Sequence, residues 1–252
     1  MRERNFIIDN LKINFYESDT LNKENALVFL HGWGSESLHL KSIFEKCNDY
    51  IAIDLPGFGK SELPKEIYGV NEYAVFLDSF LKKLGIKNPI LIGHSFGGSV
   101  IIKYIADGGE AKKMILIASA GIRIKTFKKT IYKYFAKLAR AFFLFPGLKG
   151  KKEKFKKDFY EKIGSDYYNA GPLVESFKKI VATDLRSELN KIETETVLIW
   201  GEDDRLTTLD QARLIHNLIK NSKLFIIKNA GHFSFLDKPD EFNKIFFKEV
   251  RC

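Results

Sequence analysis

Residues 89–106 read Pro89-Ile90-Leu91-Ile92-Gly93-His94-Ser95-Phe96-Gly97-Gly98-Ser99-Val100-Ile101-Ile102-Lys103-Tyr104-Ile105-Ala106. The first four form a short apolar run, read as a buried strand. The residues from Phe96 to about Ala106 read as a helix. Between them stands G-x-S-x-G with an extra glycine behind it. A serine on so tight a strand-to-helix turn has strained backbone geometry, and flanking glycines avoid side-chain clashes there. The turn lifts the Ser95 hydroxyl above the sheet and sets the positive end of the following helix beneath it.

On either side of this stretch, short β-rich runs alternate with helix-period stretches, which implies a parallel sheet covered by helices. Residues 5–16 read as an opening hairpin. Strands are expected over 26–30, 50–53, 114–118, 196–200 and 223–227. Helices are expected over 71–84 and 208–220 and from about Lys238. The predicted fold is α/β, with a mostly parallel central sheet of about eight strands flanked by helices. Between Gly121 and Lys191 the alternation stops, and helical periodicity without a convincing strand takes over. This divides the chain into a core of 1–120 and 192–252 and a helical insertion of 121–191.

The chain has 252 residues, 45% hydrophobic and 29% charged, a globular composition that excludes disorder and low complexity. Cys47 and Cys252 offer neither a disulfide framework nor a zinc spacing. No apolar signal region opens the sequence, and no run approaches the roughly 20 apolar residues of a membrane span. A cytoplasmic protein is expected. The net charge of +9 is local: 13 Lys/Arg and two Asp/Glu lie between Arg123 and Asp158, and the rest of the chain is close to neutral. With no accompanying nucleic-acid motif, that segment does not make the protein a nucleic-acid binder.

A serine hydroxyl needs a base. Of the five histidines, His232 follows the strand over 223–227. It therefore falls at the carboxyl edge of the sheet with Ser95, the edge where open α/β sheets place their sites. An acid must orient it. Asp203 and Asp204 follow the strand over 196–200 at the same edge, and both qualify by position; a helix-capping role is the other use for such a residue. Two N–H groups are needed for the oxyanion, each contributing roughly 3 kcal/mol. Phe96, next after Ser95, supplies one. Trp33, in the turn His31-Gly32-Trp33-Gly34, is the candidate for the other, and His31 braces that turn. No metal or organic cofactor is required.

These stretches resemble the α/β-hydrolase family along nearly the whole chain. The resemblance rests on the His31-Gly32-Trp33-Gly34 loop, Asp54-Leu55-Pro56-Gly57-Phe58-Gly59-Lys60-Ser61, the turn at Ser95, Gly201 to Arg205, and Gly231-His232. It implies Ser95, Asp204 and His232 as the catalytic set, with Asp204-Arg205-Leu206 matching the family's acid loop, and it gives Asp54 a structural role. Thr208 stands where relatives often carry proline. Serine rather than aspartate at position 95 argues against dehalogenase and epoxide-hydrolase activity. The resemblance further implies that residues 121–191 form a lid.

Within that insertion Phe127, Ile131, Tyr134, Phe135, Leu138 and Phe142 share one helical face, and Lys128, Lys129, Lys133, Lys137 and Arg140 fall largely elsewhere. The face packs on the core beneath a solvated basic face, or lines an acyl pocket with Phe127, Tyr134 and Phe142 and a rim that attracts an acidic carrier protein, or lies on an anionic membrane surface. The second use resembles esterases that act on the pimeloyl methyl ester of acyl carrier protein. The expected activity is hydrolysis of small-molecule carboxylic esters. Size, lid and triad also resemble C–C bond hydrolases of ring-fission diketones. Thioesterase chemistry and a non-catalytic ligand receptor are the remaining alternatives.

Overall fold

The computed structural model describes residues 1–123 and 170–250. Among them the sheet has eight strands: β1 (Arg2–Ile8), β2 (Leu11–Glu17), β3 (Leu27–Leu30), β4 (Tyr50–Ile53), β5 (Ile90–His94), β6 (Lys113–Ile117), β7 (Thr196–Gly201) and β8 (Ser222–Ile227). Their order is β1-β2-β4-β3-β5-β6-β7-β8. Only β1–β2 and β2–β4 pair antiparallel; every pair from β4–β3 onward is parallel. The predicted mostly parallel α/β sheet is what forms.

The helices are α1 (Lys41–Phe44), α2 (Val70–Leu84), α3 (Phe96–Ala106), α4 (Val174–Ala182), α5 (Arg186–Leu189), α6 (Leu209–Leu218), α7 (Ser234–Asp237) and α8 (Pro239–Val250). β3 and β4 are apolar at every position, and β5, β6 and β7 along most of their length, because both faces are covered and side chains alternate between them. Val28, Leu30, Ile51, Ile53, Leu91 and Leu116 join one core with α2, α3 and α6. Leu27, Phe29, Ala52, Ile92, Ile115 and Ile117 join the other with α1 and α8. The fold thereby aims the carboxyl ends of β3, β5, β7 and β8 at one edge.

Several element boundaries differ from the sequence reading, most by a single residue. The hairpin reaches back to Arg2 because β1 is an edge strand, exposed along nearly its whole length, and carries little apolar signal. The helix read over 208–220 ends at Leu218, where Ile219 turns extended. α1 and α7, four residues each, are too short to show a period. In the insertion, residues 170–191 hold a 3-10 turn (Gly171–Leu173), α4 and α5, and no strand. The positions of Phe127, Tyr134 and Phe142 and the basic run lie outside the described residues. Among the described residues, no helix is long and apolar enough to cross a membrane.

Candidate active site

Ser95 joins β5 directly to α3 with φ 51° and ψ −111°, a left-handed value that a side-chain-bearing residue adopts only under constraint. The constraint is visible. The Ser95 N–H donates to the Ile117 carbonyl at 2.9 Å, and the Ser95 carbonyl accepts from the N–H groups of Ala120 (2.9 Å) and Gly98 (3.1 Å). Gly97 permits the approach: a Cβ there would meet the Leu30 carbonyl oxygen at 2.4 Å. Sharp turn and glycine content are therefore two sides of one packing requirement, and Ser95 is left half-buried at the start of an 11-residue helix.

The loops after β7 and β8 come together across the same edge. Gly201, at the end of β7, makes room: a Cβ would fall 2.2 Å from the Gly231 carbonyl oxygen. Glu202 N–H donates to Ile227 and Asp203 N–H to Ala230. This pairing delivers His232 to the acid loop. Asp204 Oδ2 lies 2.8 Å from His232 Nδ1, with the Asp204 side chain fully enclosed and that of His232 9% exposed. Asp203 is exposed and points its backbone, not its carboxylate, into this junction. Of the two candidate acids, the structure joins Asp204 to His232.

Asp204 is otherwise fully engaged. Its Oδ1 accepts from the N–H groups of Leu206 (2.8 Å) and Thr207 (2.9 Å). Thr207 Oγ1 sits 2.8 Å from Asp204 Oδ2, 2.9 Å from the Ala118 carbonyl and 3.2 Å from His232 Nδ1. Burial pushes the Asp204 carboxyl up, but the hydrogen bond and charge of His232, with those of Thr207, outweigh it and hold the group below the ordinary carboxylate value. Asp204 is not the cap of α6. That position belongs to Thr208, whose N–H, a donor that proline lacks, is taken by Gln211 Oε1 at 2.7 Å.

The loop after β3 completes the surroundings. A Cβ on Gly32 would lie 3.4 Å from Ser95 Cβ, which brings Trp33 beside the serine. The Trp33 ring packs on Phe58, Phe96 and Phe177, with centroids 5.0, 5.7 and 5.2 Å away. Among the described residues, neither Trp33 N–H nor Phe96 N–H donates a hydrogen bond. His31 is buried and ties the loop down: its Nδ1 donates to the Gly32 carbonyl (2.7 Å) and its Nε2 accepts from Leu55 N–H (3.0 Å). Asp54 spends its oxygens on Asn14 Nδ2, Ser37 N–H and Oγ, and Lys60 N–H, as a structural role requires.

A cavity of about 350 Å³ opens beside Trp33, lined also by Ser35, His39, Phe58 and Leu173. A larger one, about 730 Å³, lies at the opposite, amino edge of the sheet among Leu27, Ile90 and Lys113, and no candidate residue lines it. Among the described residues, no three His, Cys, Asp or Glu side chains converge as a metal would require.

Two residues of the site escaped the sequence reading. Thr207 gave no signal, being one hydroxyl residue in a polar loop. His94 occupies the variable position of the serine motif, to which the sequence reading gave no role; the structure packs it against His232 in a tilted pair, ring centroids 4.8 Å apart.

A strained serine at a strand-to-helix turn, with an Asp–His pair delivered by the next loops of a parallel sheet, defines a class of proteins. The chain belongs to the α/β-hydrolase fold family, whose model matches residues 25–239. It is 28% identical to the pimeloyl-[acyl-carrier protein] methyl ester esterase of Wigglesworthia glossinidia brevipalpis, over 87% of this chain and 91% of that one. It is 24% identical to the 2-hydroxy-6-oxo-6-phenylhexa-2,4-dienoate hydrolase of Comamonas testosteroni, over 90% and 87% respectively. Among solved structures, an esterase from Exiguobacterium antarcticum superposes with a TM-score of 0.74 at 22% identity, covering 98% of this chain and 99% of that one, a likeness of fold.

Proposed function

We propose that the protein is a serine hydrolase that cleaves small-molecule carboxylic esters through an acyl-enzyme. The observation that carries this reading is the enclosed Asp204–His232 pair, 2.8 Å long, set against the residue that precedes Ser95. Asp204 accepts a hydrogen bond from His232 Nδ1–H, which keeps the proton on Nδ1 and leaves Nε2 free as the base. In this reading His232 takes the Ser95 proton as the hydroxyl attacks the ester carbonyl. The Trp33 and Phe96 N–H groups receive the oxyanion, at the positive end of α3. His232 then returns the proton to the leaving alcohol, and a water activated by the same imidazole releases the acid. Asp204, held ionised by its neighbours, stabilises the imidazolium throughout.

The same residues suit hydrolysis of a C–C bond in a ring-fission diketone, the reading favoured by the Comamonas relative. One experiment separates the two. Wild type and Ser95→Ala are treated with a fluorophosphonate probe and assayed with p-nitrophenyl acetate, butyrate and octanoate and with a dienoate diketone. The ester reading expects labelling and ester turnover that both vanish in Ser95→Ala. Labelling with diketone turnover alone moves the activity to C–C bonds. A folded wild type that takes no label overturns the nucleophile assignment.

A further inference from the structure

His94 has no part in that mechanism, yet its side chain lies between the serine turn, the loop that carries His232 and the loop after β3. It is 3% exposed and precedes Ser95 directly. Its Nε2 lies 3.1 Å from the backbone carbonyl oxygen of His232. Its Nδ1 lies against the loop after β3, where a Cβ on Gly32 would approach it to 3.0 Å. Phe233 and Phe235 pack on the ring, with centroids 5.2 and 5.4 Å away.

A carbonyl oxygen only accepts, so the contact to His232 requires the proton on Nε2. Burial, and next the neighbouring imidazole of His232, lower the His94 pKa to about 3. The titratable groups that act on the ring are His232 and Asp204 from the loops after β8 and β7 and His31 from the end of β3. The ring is thus neutral at ordinary pH. It donates steadily and adds no second positive charge beside His232 when that residue takes a proton.

We propose that His94 is a positioning residue whose Nε2–H ties the backbone of His232 to the serine turn and so fixes the base relative to Ser95. The proposal rests on the serine-hydrolase reading and deepens it. The loop that carries His232 is also tied to the acid loop through Asp204 Oδ2 (2.8 Å) and Thr207 Oγ1 (3.2 Å), and to α7 by Gly231 N–H on Asp237 Oδ2 (2.7 Å). Among the described residues, only the His94 contact links this loop to the nucleophile turn by a hydrogen bond. Ring packing could be supplied by any aromatic residue; the donor could not.

Two variants separate these roles. His94→Phe keeps a planar ring and removes the donor. His94→Gln gives up the ring and keeps an N–H donor of similar reach. In His94→Phe, kcat and the fluorophosphonate labelling rate are expected to fall at least about tenfold with KM within about twofold, since a small misplacement of a catalytic group acts on the chemical step. His94→Gln is expected to recover most of the loss, with thermal midpoints of the two variants alike. A His94→Phe protein with wild-type kcat, or a His94→Gln protein as slow as His94→Phe at equal stability, overturns the proposal.

A measurement on the wild type covers variants that fail to fold. Long-range ¹H–¹⁵N spectra are expected to show His94 protonated on Nε2 alone and unchanged from pH 5 to 8. A proton on Nδ1, or titration in that range, overturns the proposal as well. A wild type that takes no label in the Ser95 assay removes the hydrolase reading first, which keeps the two failures distinct.

Discussion

Asp204 Oδ2 and His232 Nδ1 stand 2.8 Å apart, and the adjacent Asp203 has no share in the contact. The two aspartates differ only in which side of the loop they face. Asp204→Asn is therefore expected to lower kcat roughly 10⁴-fold, because an amide offers the imidazole a donor and favours the wrong tautomer. Asp203→Asn is expected to stay within about twofold of wild type, as an exposed substitution does. Steady-state kinetics of both, on the best ester, tests the assignment. Equal losses in the two would undo it.

Thr207 has a single proton and three polar neighbours, Asp204, His232 and the Ala118 carbonyl at the end of β6. The hydroxyl fastens the acid to the sheet. Thr207→Val keeps the shape and leaves buried acceptors unpaired, so a stability loss of about 1–3 kcal/mol is expected from urea unfolding. Activity should drop alongside it, and Thr207→Ser should restore both. A Thr207→Val protein with wild-type stability would show that the hydroxyl carries nothing.

The fold was legible where one physical rule governed many residues. Strands such as Leu27–Leu30 and Val197–Trp200 are apolar throughout because both faces are covered, and α2 repeats its buried positions over 15 residues. Ser95 was legible because its turn demands glycines. His232 and the acid loop followed from their place after strands. What stayed hidden depends on distances across the chain. The insertion of β4 between β2 and β3 leaves no local trace. Thr207 reaches His232 and Ala118, 25 and 89 residues away, and His94 reaches the His232 carbonyl 138 residues away. The choice between Asp203 and Asp204 turned on the backbone course after Gly201, which two adjacent acids cannot report.

Trp33 meets Phe177 of α4 at 5.2 Å, so a residue from the insertion forms part of the wall beside the proposed oxyanion donor. α4 is itself fastened to the core by Lys179 Nζ to Glu72 (2.6 Å) and Tyr68 N–H to Ser176 Oγ (3.1 Å). Phe177→Ala is expected to leave those ties intact and to open the wall. The ratio of octanoate to acetate turnover should rise at least about threefold, in line with the modest discrimination an apolar pocket provides. An unchanged chain-length profile would place the acyl group elsewhere.

His31 and His94 set the response of the fold to acid. Burial is the main cause in both, bringing His31 to about 4 and His94 to about 3. Each value lies below the ordinary histidine value near 6.5 that applies in the unfolded chain. Between pH 6.5 and 4 the unfolded chain therefore binds protons that the folded one refuses, and stability falls as pH falls. Each histidine contributes up to about 1.4 kcal/mol per pH unit, so the pair removes about 4 kcal/mol between pH 7 and pH 5. Asp204 works in a different window. Its lowered carboxyl stabilises the fold above the ordinary carboxylate range and is lost only below about pH 4. Urea midpoints at pH 7, 6 and 5 should thus decline steeply in the wild type and about half as steeply in His94→Gln. A midpoint that holds level from pH 7 to pH 5 would mean that both rings accept protons inside the fold, and the neutral donor assigned to His94 would go with it.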